Sequence, residues 1–157
     1  MLGRRKDEQW DGSERRASPT VMIVNDDPAA CEMLVRMVGS KGYRTLGAAS
    51  PDEAAWRIAD ELPRCIVLDL DAGGIGTSLK VLDLIRSHED LRVSTARVVL
   101  CASSPRNRAF TFQSGADAFL VRPFHLDELT EQIADVLGRA HEERARHRRD
   151  ELARHGD

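Results

Sequence analysis

The sequence predicts an α/β domain: a doubly wound, five-stranded parallel sheet with helices on both faces. Three observations predict it. Short unbroken apolar runs such as VMIV, CIVL and VVLC recur along the chain, as strands buried on both faces require. Between them lie segments with apolar residues at helical spacing, several opened by a capping side chain next to proline. The two kinds of segment alternate strictly through five units between Thr20 and Leu137, the pattern of a parallel sheet with crossover helices.

Val21 to Val24 forms the first expected strand, ending at Asn25. Asp27 and Pro28 then read as a cap and a first helical residue, with Leu34, Met37 and Val38 on the apolar stripe and Gly39 and Gly42 closing the helix. A strand near Tyr43 to Leu46 follows. Ser50-Pro51-Asp52-Glu53 is a capping box with proline inside it, opening a helix to about Leu62. Cys65 to Leu68 is the third strand, Leu79, Leu82 and Ile85 mark a helix, and Val98 to Cys101 is the fourth strand. Ser104-Pro105 signals another helix start, Asp117 to Val121 is the fifth strand, and a last helix from Leu126 carries Leu129, Ile133 and Val136.

Composition narrows the class. A chain of 157 residues suits one domain with a single sizeable core, and 31% charged residues fit a soluble globular protein. No apolar run approaches the roughly 20 residues of a spanning helix, and the polar N-terminus lacks a signal-peptide stretch. Cys31, Cys65 and Cys101 are widely spaced, which points to neither a zinc site nor a disulfide framework, and to a reducing cytoplasm. Residues 1–18 hold five basic and four acidic side chains and residues 138–157 six and five, whereas the middle holds 12 basic and 17 acidic. Tails of mixed sign lack the clustered positive charge of a nucleic-acid arm, so no nucleic-acid or membrane partner is expected.

In a sheet of this kind the ligand site lies beyond the carboxyl ends of the strands, at the switch point of the winding. That collects Asn25, Asp26 and Asp27; Asp69 and Asp71; Cys101 to Ser104; and Arg122. Asp27 reads as a helix cap. Facing carboxylates repel unless a cation sits among them, and oxygen ligands of this kind suit magnesium. The stretch IVLDLDAGG, an apolar run stopping on Asp69, fits two chemistries: a phosphate-transferring hydrolase of the haloacid dehalogenase type, or a signalling domain that accepts a phosphoryl group. The hydrolase needs its acidic pair after the D-x-D strand and a lysine between. Here the pair comes first, and no lysine follows Lys80.

Over residues 20 to 138 the chain resembles the CheY-like receiver domain of two-component response regulators, through VMIVNDDP, IVLDLD, SGADAFLVRPF and the spacing between them. The resemblance implies a flavodoxin-like fold with Asp69 as phosphoacceptor. It implies magnesium held by Asp26, Asp69 and the backbone carbonyl of Asp71, a switch aromatic at Phe119, and Arg122-Pro123 in place of lysine-proline, typically with a cis bond. It further implies a non-enzymatic, cytoplasmic switch that takes a phosphoryl group from a histidine kinase or phosphotransfer protein and presents a face to a downstream protein. The alternative is a pseudo-receiver presenting that face constitutively. Neither tail has the length of an output domain, so protein contact is the expected output.

Four departures bear on that role. Asn25 replaces the first acid of the pair, which predicts weak magnesium binding. Cys101 stands where a hydroxyl would bond the phosphoryl group, and a thiol is a weak donor; Ser103 or Ser104 are the candidate substitutes. Arg122 is a planar fork where the family has a compact ammonium. The loop after Asp69 reads AGGIGT, one residue longer than usual, and its glycines predict a loose segment.

The domain organisation expected is therefore a polar tail over 1–18, a receiver over 19–138 and a charged helical extension over 139–157. In the extension Glu142 with Arg146 and Asp150 with Arg154 are i, i+4 pairs, and the apolar residues form no heptad seam. The pattern predicts a solvated, fraying rod that continues the last helix past Gly138.

Overall fold

A computed structural model describes residues 18–155, so the expected N-terminal tail lies outside the described residues apart from Ser18. Five parallel strands, β1 (Thr20–Val24), β2 (Arg44–Ala48), β3 (Cys65–Asp69), β4 (Arg97–Ala102) and β5 (Ala118–Val121), form one sheet in the order β2-β1-β3-β4-β5. Between and after them come α1 (Pro28–Gly39), α2 (Pro51–Glu61), α3 (Ile75–Arg86), a single turn α4 (Leu91–Ser94), α5 (Arg108–Gln113), α6 (Leu126–Gly138) and α7 (His141–His155). This is the doubly wound, flavodoxin-like architecture with helices on both faces. The winding reverses between β1 and β3, which places their carboxyl ends at the switch point.

The period-two pleat divides each strand between two cores. Met22, Val24, Ile66, Leu68, Val98 and Leu100 point to the face covered by α2, α3 and α5, where Ala54, Ile58, Leu82, Ile85 and Phe112 fill the layer. Val21, Ile23, Cys65, Val67, Val99 and Cys101 point to the other, against Cys31 and Val38 of α1 and Leu129, Ile133 and Val136 of α6. In the β3–β4 register Asp69 stands opposite Cys101, so both side chains belong to the α1/α6 face at its upper rim.

Capping behaves as the sequence predicts, with detail added. Asp27 Oδ1 accepts from the Ala29 and Ala30 amides at the start of α1. Ser50 Oγ accepts from the Glu53 amide, while Glu53 Oε1 reaches back one residue beyond the cap to the Ala49 amide at 2.8 Å. Elsewhere the structure differs from expectation. The helix expected from Ser104-Pro105 begins only at Arg108, because Ser104 Oγ accepts the Arg106 amide and turns the chain there. Of the expected stripe of α1, Val38 is buried and Leu34 packs against the core, whereas Met37 is 40% exposed and Cys31 joins the buried face.

The largest difference is the C-terminal extension. Rather than continuing α6 as a solvated rod, the chain breaks at Gly138, passes through extended Arg139 and folds back as α7 onto α5. The Arg97 guanidinium holds the junction by donating to Val136 O and Arg139 O, and Arg139 Nη1 donates to Asp117 O. Glu143 Oε1 then accepts the Ala140 amide at 2.7 Å and caps the new helix. Few apolar groups are used: Leu152 packs against the α2/α3/α5 core, and His147 meets the Phe112 ring edge-on. The anchor is charge. Arg144, only 7% exposed, donates to both oxygens of Asp117, itself 1% exposed. Arg154 pairs with Glu151, and not with Asp150 as the i, i+4 spacing predicts.

Candidate functional site

The site forms where the carboxyl ends of β1, β3, β4 and β5 meet. Asp69 is the last residue of β3 and is almost fully buried. Its Oδ1 accepts the Asp71 amide at 2.9 Å, and its backbone carbonyl accepts from Ser78 Oγ at 3.0 Å. Burial raises its pKa above the usual carboxylate value; the Asp71 amide and the Arg122 charge oppose this, and the Asp71 charge adds to it.

Arg122, at the residue after β5, closes the site from the other side. Its Nη1 lies 3.3 Å from Asp69 Oδ2 and its Nη2 donates to Asp69 Oδ1 at 3.3 Å, so the guanidinium forks both carboxylate oxygens. The same Nη2 donates to Asp71 Oδ2 at 2.7 Å, and Asp71 Oδ2 also accepts the Ser103 amide at 3.0 Å. Asp71 thus acts through its side chain, a role its reading as a carbonyl donor does not include. The Arg122–Pro123 peptide is cis.

Asn25, Asp69, Cys101, Arg122 and Pro123 line a cavity of about 250 Å³ together with apolar residues that include Met33, Met37 and Phe124. Asn25 Oδ1 accepts the Asp27 amide and so is committed to the loop. The Cys101 thiol, pushed up to about 12 by burial and then by the Asp69 charge, is a neutral group at neutral pH. Ser103 is exposed and contributes its amide to Asp71. Phe119 is buried beneath Arg108, whose guanidinium carbon lies 5.0 Å from the ring centroid. Asp26 is exposed on the β1–α1 loop, and no described contact joins its side chain to Asp69.

Ser78 is the site residue that sequence reasoning missed. Fully buried on α3, its hydroxyl lies 3.0 Å from Asp69 O and 3.1 Å from Ala72 O, shares its one proton between them and ties the glycine loop to the helix. That loop is therefore braced and not loose: Ala72 N also donates to Asp69 O and Gly74 N to Asp71 O, with Gly73 and Gly74 at positive φ making the turn. The available signal was a hydroxyl at Ser78 in helical register with Leu82 and Ile85, four and seven residues on.

Magnesium, which the resemblance implies, would need the oxygens of Asp69. Both already face guanidinium nitrogens, and one also takes a backbone amide. Among the described residues no three His, Cys, Asp or Glu side chains are grouped so that they could hold a metal ion. As folded, the donor set does not fit a divalent cation.

The model of the response regulator receiver domain matches residues 21–134. The chain belongs to the response regulator receiver family. A transcriptional regulatory protein of Bacillus subtilis (strain 168), YvrH, is 32% identical over 126 residues, which cover 78% of this chain and 51% of that protein. The response regulator MprA of Mycobacterium bovis (strain BCG / Pasteur 1173P2) is 33% identical over 131 residues, covering 82% and 54%. The receiver chain thus spans about half the length of these relatives. Among solved structures, a CheY-like receiver domain protein from Methanospirillum hungatei JF-1 superposes with a TM-score of 0.68 at 21% identity, covering 76% of this chain and 94% of that one. The response regulator TrrA from Thermotoga maritima, solved in complex with Mg2+–BeF, gives 0.66 at 24% identity, covering 75% and 98%. These two likenesses show the fold. Among the described residues no helix is long and apolar enough to cross a membrane.

Proposed function

We propose that this receiver accepts a phosphoryl group on Asp69 from the phosphohistidine of a histidine kinase or phosphotransfer protein and thereby alters its affinity for a downstream protein. The observation that carries the reading is the placement of a nearly buried carboxylate at the end of β3, facing a guanidinium from the end of β5. In the transfer, an Asp69 oxygen attacks phosphorus in line. The P–O bond forms as the P–N bond to the imidazole breaks, and the imidazole keeps the electron pair. Arg122 must first leave the attacking oxygen. Asp71 Oδ2, already 2.7 Å from Nη2, keeps it close, and the fork then suits two oxygens of the new acyl phosphate. The phosphorylated state is read out by a shift between conformations that the domain already samples.

A second reading, a phosphorylation-independent module, is favoured by one specific observation: Cys101 places a neutral thiol, and not a hydroxyl, opposite Asp69. Mass spectrometry after incubation with acetyl phosphate, with and without magnesium, separates the two. Addition of one phosphoryl group to the wild type but not to Asp69→Asn supports phosphoryl acceptance. Wild type that stays unlabelled under both conditions supports the constitutive module. The proposed setting is the cytoplasm and the proposed partners of the receiver are proteins; the relatives' link to transcription belongs to proteins about twice as long.

A further inference from the structure

We propose that Arg122, braced from behind by Asp71, is the resident counter-cation of Asp69, so that this receiver organises its acidic centre without a divalent metal. The inference rests on Asp69 being the anionic centre of the site and not on its phosphorylation.

Three features of the geometry carry it. First, the guanidinium meets Asp69 through two nitrogens and two oxygens, each 3.3 Å apart, which covers the carboxylate edge that a hard cation would ligate. Second, the fork is anchored. Nη2 is held at 2.7 Å by Asp71 Oδ2, and that oxygen is itself fixed by the Ser103 amide at 3.0 Å, so charge and direction are set from both sides. A compact ammonium has no second nitrogen with which to face Asp69 Oδ2 while the first holds Asp71 and Asp69 Oδ1. Third, the remaining negative charge has been thinned. Asn25 is neutral and its side-chain oxygen is committed to the Asp27 amide; Asp26, exposed on the same loop, is the acid left of the pair, and among the described residues it forms no group with Asp69 and Asp71 that could hold a metal ion.

A magnesium ion at Asp69 would therefore have to displace the guanidinium from both Asp69 oxygens and leave Arg122 held by Asp71 alone. Asp69 and waters, with Asn25 neutral and Asp26 exposed to solvent, offer too little charge to compensate for that loss.

Thermal unfolding in millimolar magnesium chloride, against sodium chloride of equal ionic strength to remove screening effects, tests the idea on the whole chain. The wild-type midpoint is expected to be the same in both salts. Arg122→Met keeps much of the side-chain volume but removes the charge; its midpoint should rise in magnesium, with affinity by calorimetric titration about tenfold or more tighter than wild type. Arg122→Met combined with Asp69→Asn should lose the gain, which places the ion at Asp69. Arg122→Lys serves as a second probe should the Met variant fold poorly, since it keeps a positive charge without the fork, and it too should gain magnesium affinity. A wild type that binds magnesium as tightly as the Arg122 variants overturns the proposal, as does a gain that survives in the double variant. None of these outcomes depends on whether acetyl phosphate labels Asp69.

Discussion

Arg144 of the C-terminal helix and Asp117, just before β5, form a bidentate buried ion pair, with Nε to Oδ1 at 2.9 Å and Nη2 to Oδ2 at 3.1 Å. The carboxylate gathers more than one partner. Arg86 Nη2 donates to Oδ2 at 2.9 Å, Arg148 Nη1 to Oδ1 at 3.3 Å, and the Val98 amide to Oδ2 at 2.9 Å. Arg144 also donates to Thr95 O and Ala96 O, so its fork is satisfied on both sides. A single buried anion thereby ties α3, β4, β5 and α7 together. Its removal would leave guanidinium groups without a counter-charge, a loss much larger than that of an exposed pair.

Deleting residues 141–157 is expected to destabilise the domain. The truncation strips Arg144 and Arg148 from Asp117 and uncovers Phe112 and the Leu152 contact. Breaking a buried pair costs about 3–5 kcal/mol, and for a chain of this size each kcal/mol moves the midpoint by roughly 2–4 °C. Calorimetry should record a fall of the order of 10 °C. A midpoint within a degree of wild type would mean that the helix contributes nothing.

Acid should release the same network. Burial opposes ionisation of Asp117, but the hydrogen bonds and charge of Arg144, then the charge of Arg86 and the Val98 amide, more than offset it and hold the carboxyl below its ordinary value of 3.8. The folded state therefore binds fewer protons than the unfolded one in that range. The stabilisation is complete above about pH 4 and is lost as pH falls through the depressed folded value. In Arg144→Met this acid limb should flatten. Equilibrium urea unfolding at a series of pH values from neutral to acid would show it, and identical limbs would contradict the assignment.

Asp69 is expected to behave in the opposite sense. Its folded pKa is raised, chiefly by burial, so ionisation costs stability once pH exceeds the unfolded value. Asp69→Asn should therefore unfold at a higher temperature than wild type at neutral pH, with the advantage shrinking as pH is lowered toward 4. Because the variant also weakens the hold on Arg122, a midpoint below that of wild type at neutral pH would show that the ion pair outweighs the desolvation cost.

Gly115 is a backbone requirement of the Asp117 network. It sits at φ +108°, and a Cβ there would lie 2.8–3.1 Å from Nε, Cγ and Cδ of Arg86, whose Nε also donates to its carbonyl. Gly115→Ala combines strain with a displaced Arg86 and should cost about 1–3 kcal/mol, measurable by denaturant unfolding.

The strands, the caps at Asp27 and Ser50 and the position of Asp69 were legible because each rests on local pattern: an apolar run, a cap beside proline, a carboxylate at a strand end. What was not legible depends on who meets whom across the fold. In α7 the sequence shows charges, and charges on a helix usually face water. Arg144 is buried only because Asp117, 27 residues earlier, waits beneath it with no solvent of its own. The side-chain role of Asp71, and Ser78 altogether, were missed for the same reason. Their partners, Arg122 and the Asp69 carbonyl, are brought to them by the sheet and by α3, and no spacing rule announces this.

The cysteines give a last prediction, about the chemical character of the site. Cys101 is buried beside Asp69, and burial followed by the aspartate charge pushes its thiol up to about 12, while the Arg122 charge opposes this only in part. Cys65 is raised further, again chiefly by burial, and Cys31 is raised as well. Alkylation needs the thiolate, so none of the three should react with iodoacetamide at mildly alkaline pH while the domain is folded. All three should react once urea unfolds it. Asp69→Asn removes the second cause of the Cys101 shift and leaves the first, so it should make Cys101 at most slightly more reactive. Mass spectrometry of timed samples distinguishes these cases residue by residue. Rapid native-state modification of Cys101 would mean that the cavity beside Asp69 admits reagent and lets a thiolate form, contrary to a buried thiol held neutral by its surroundings.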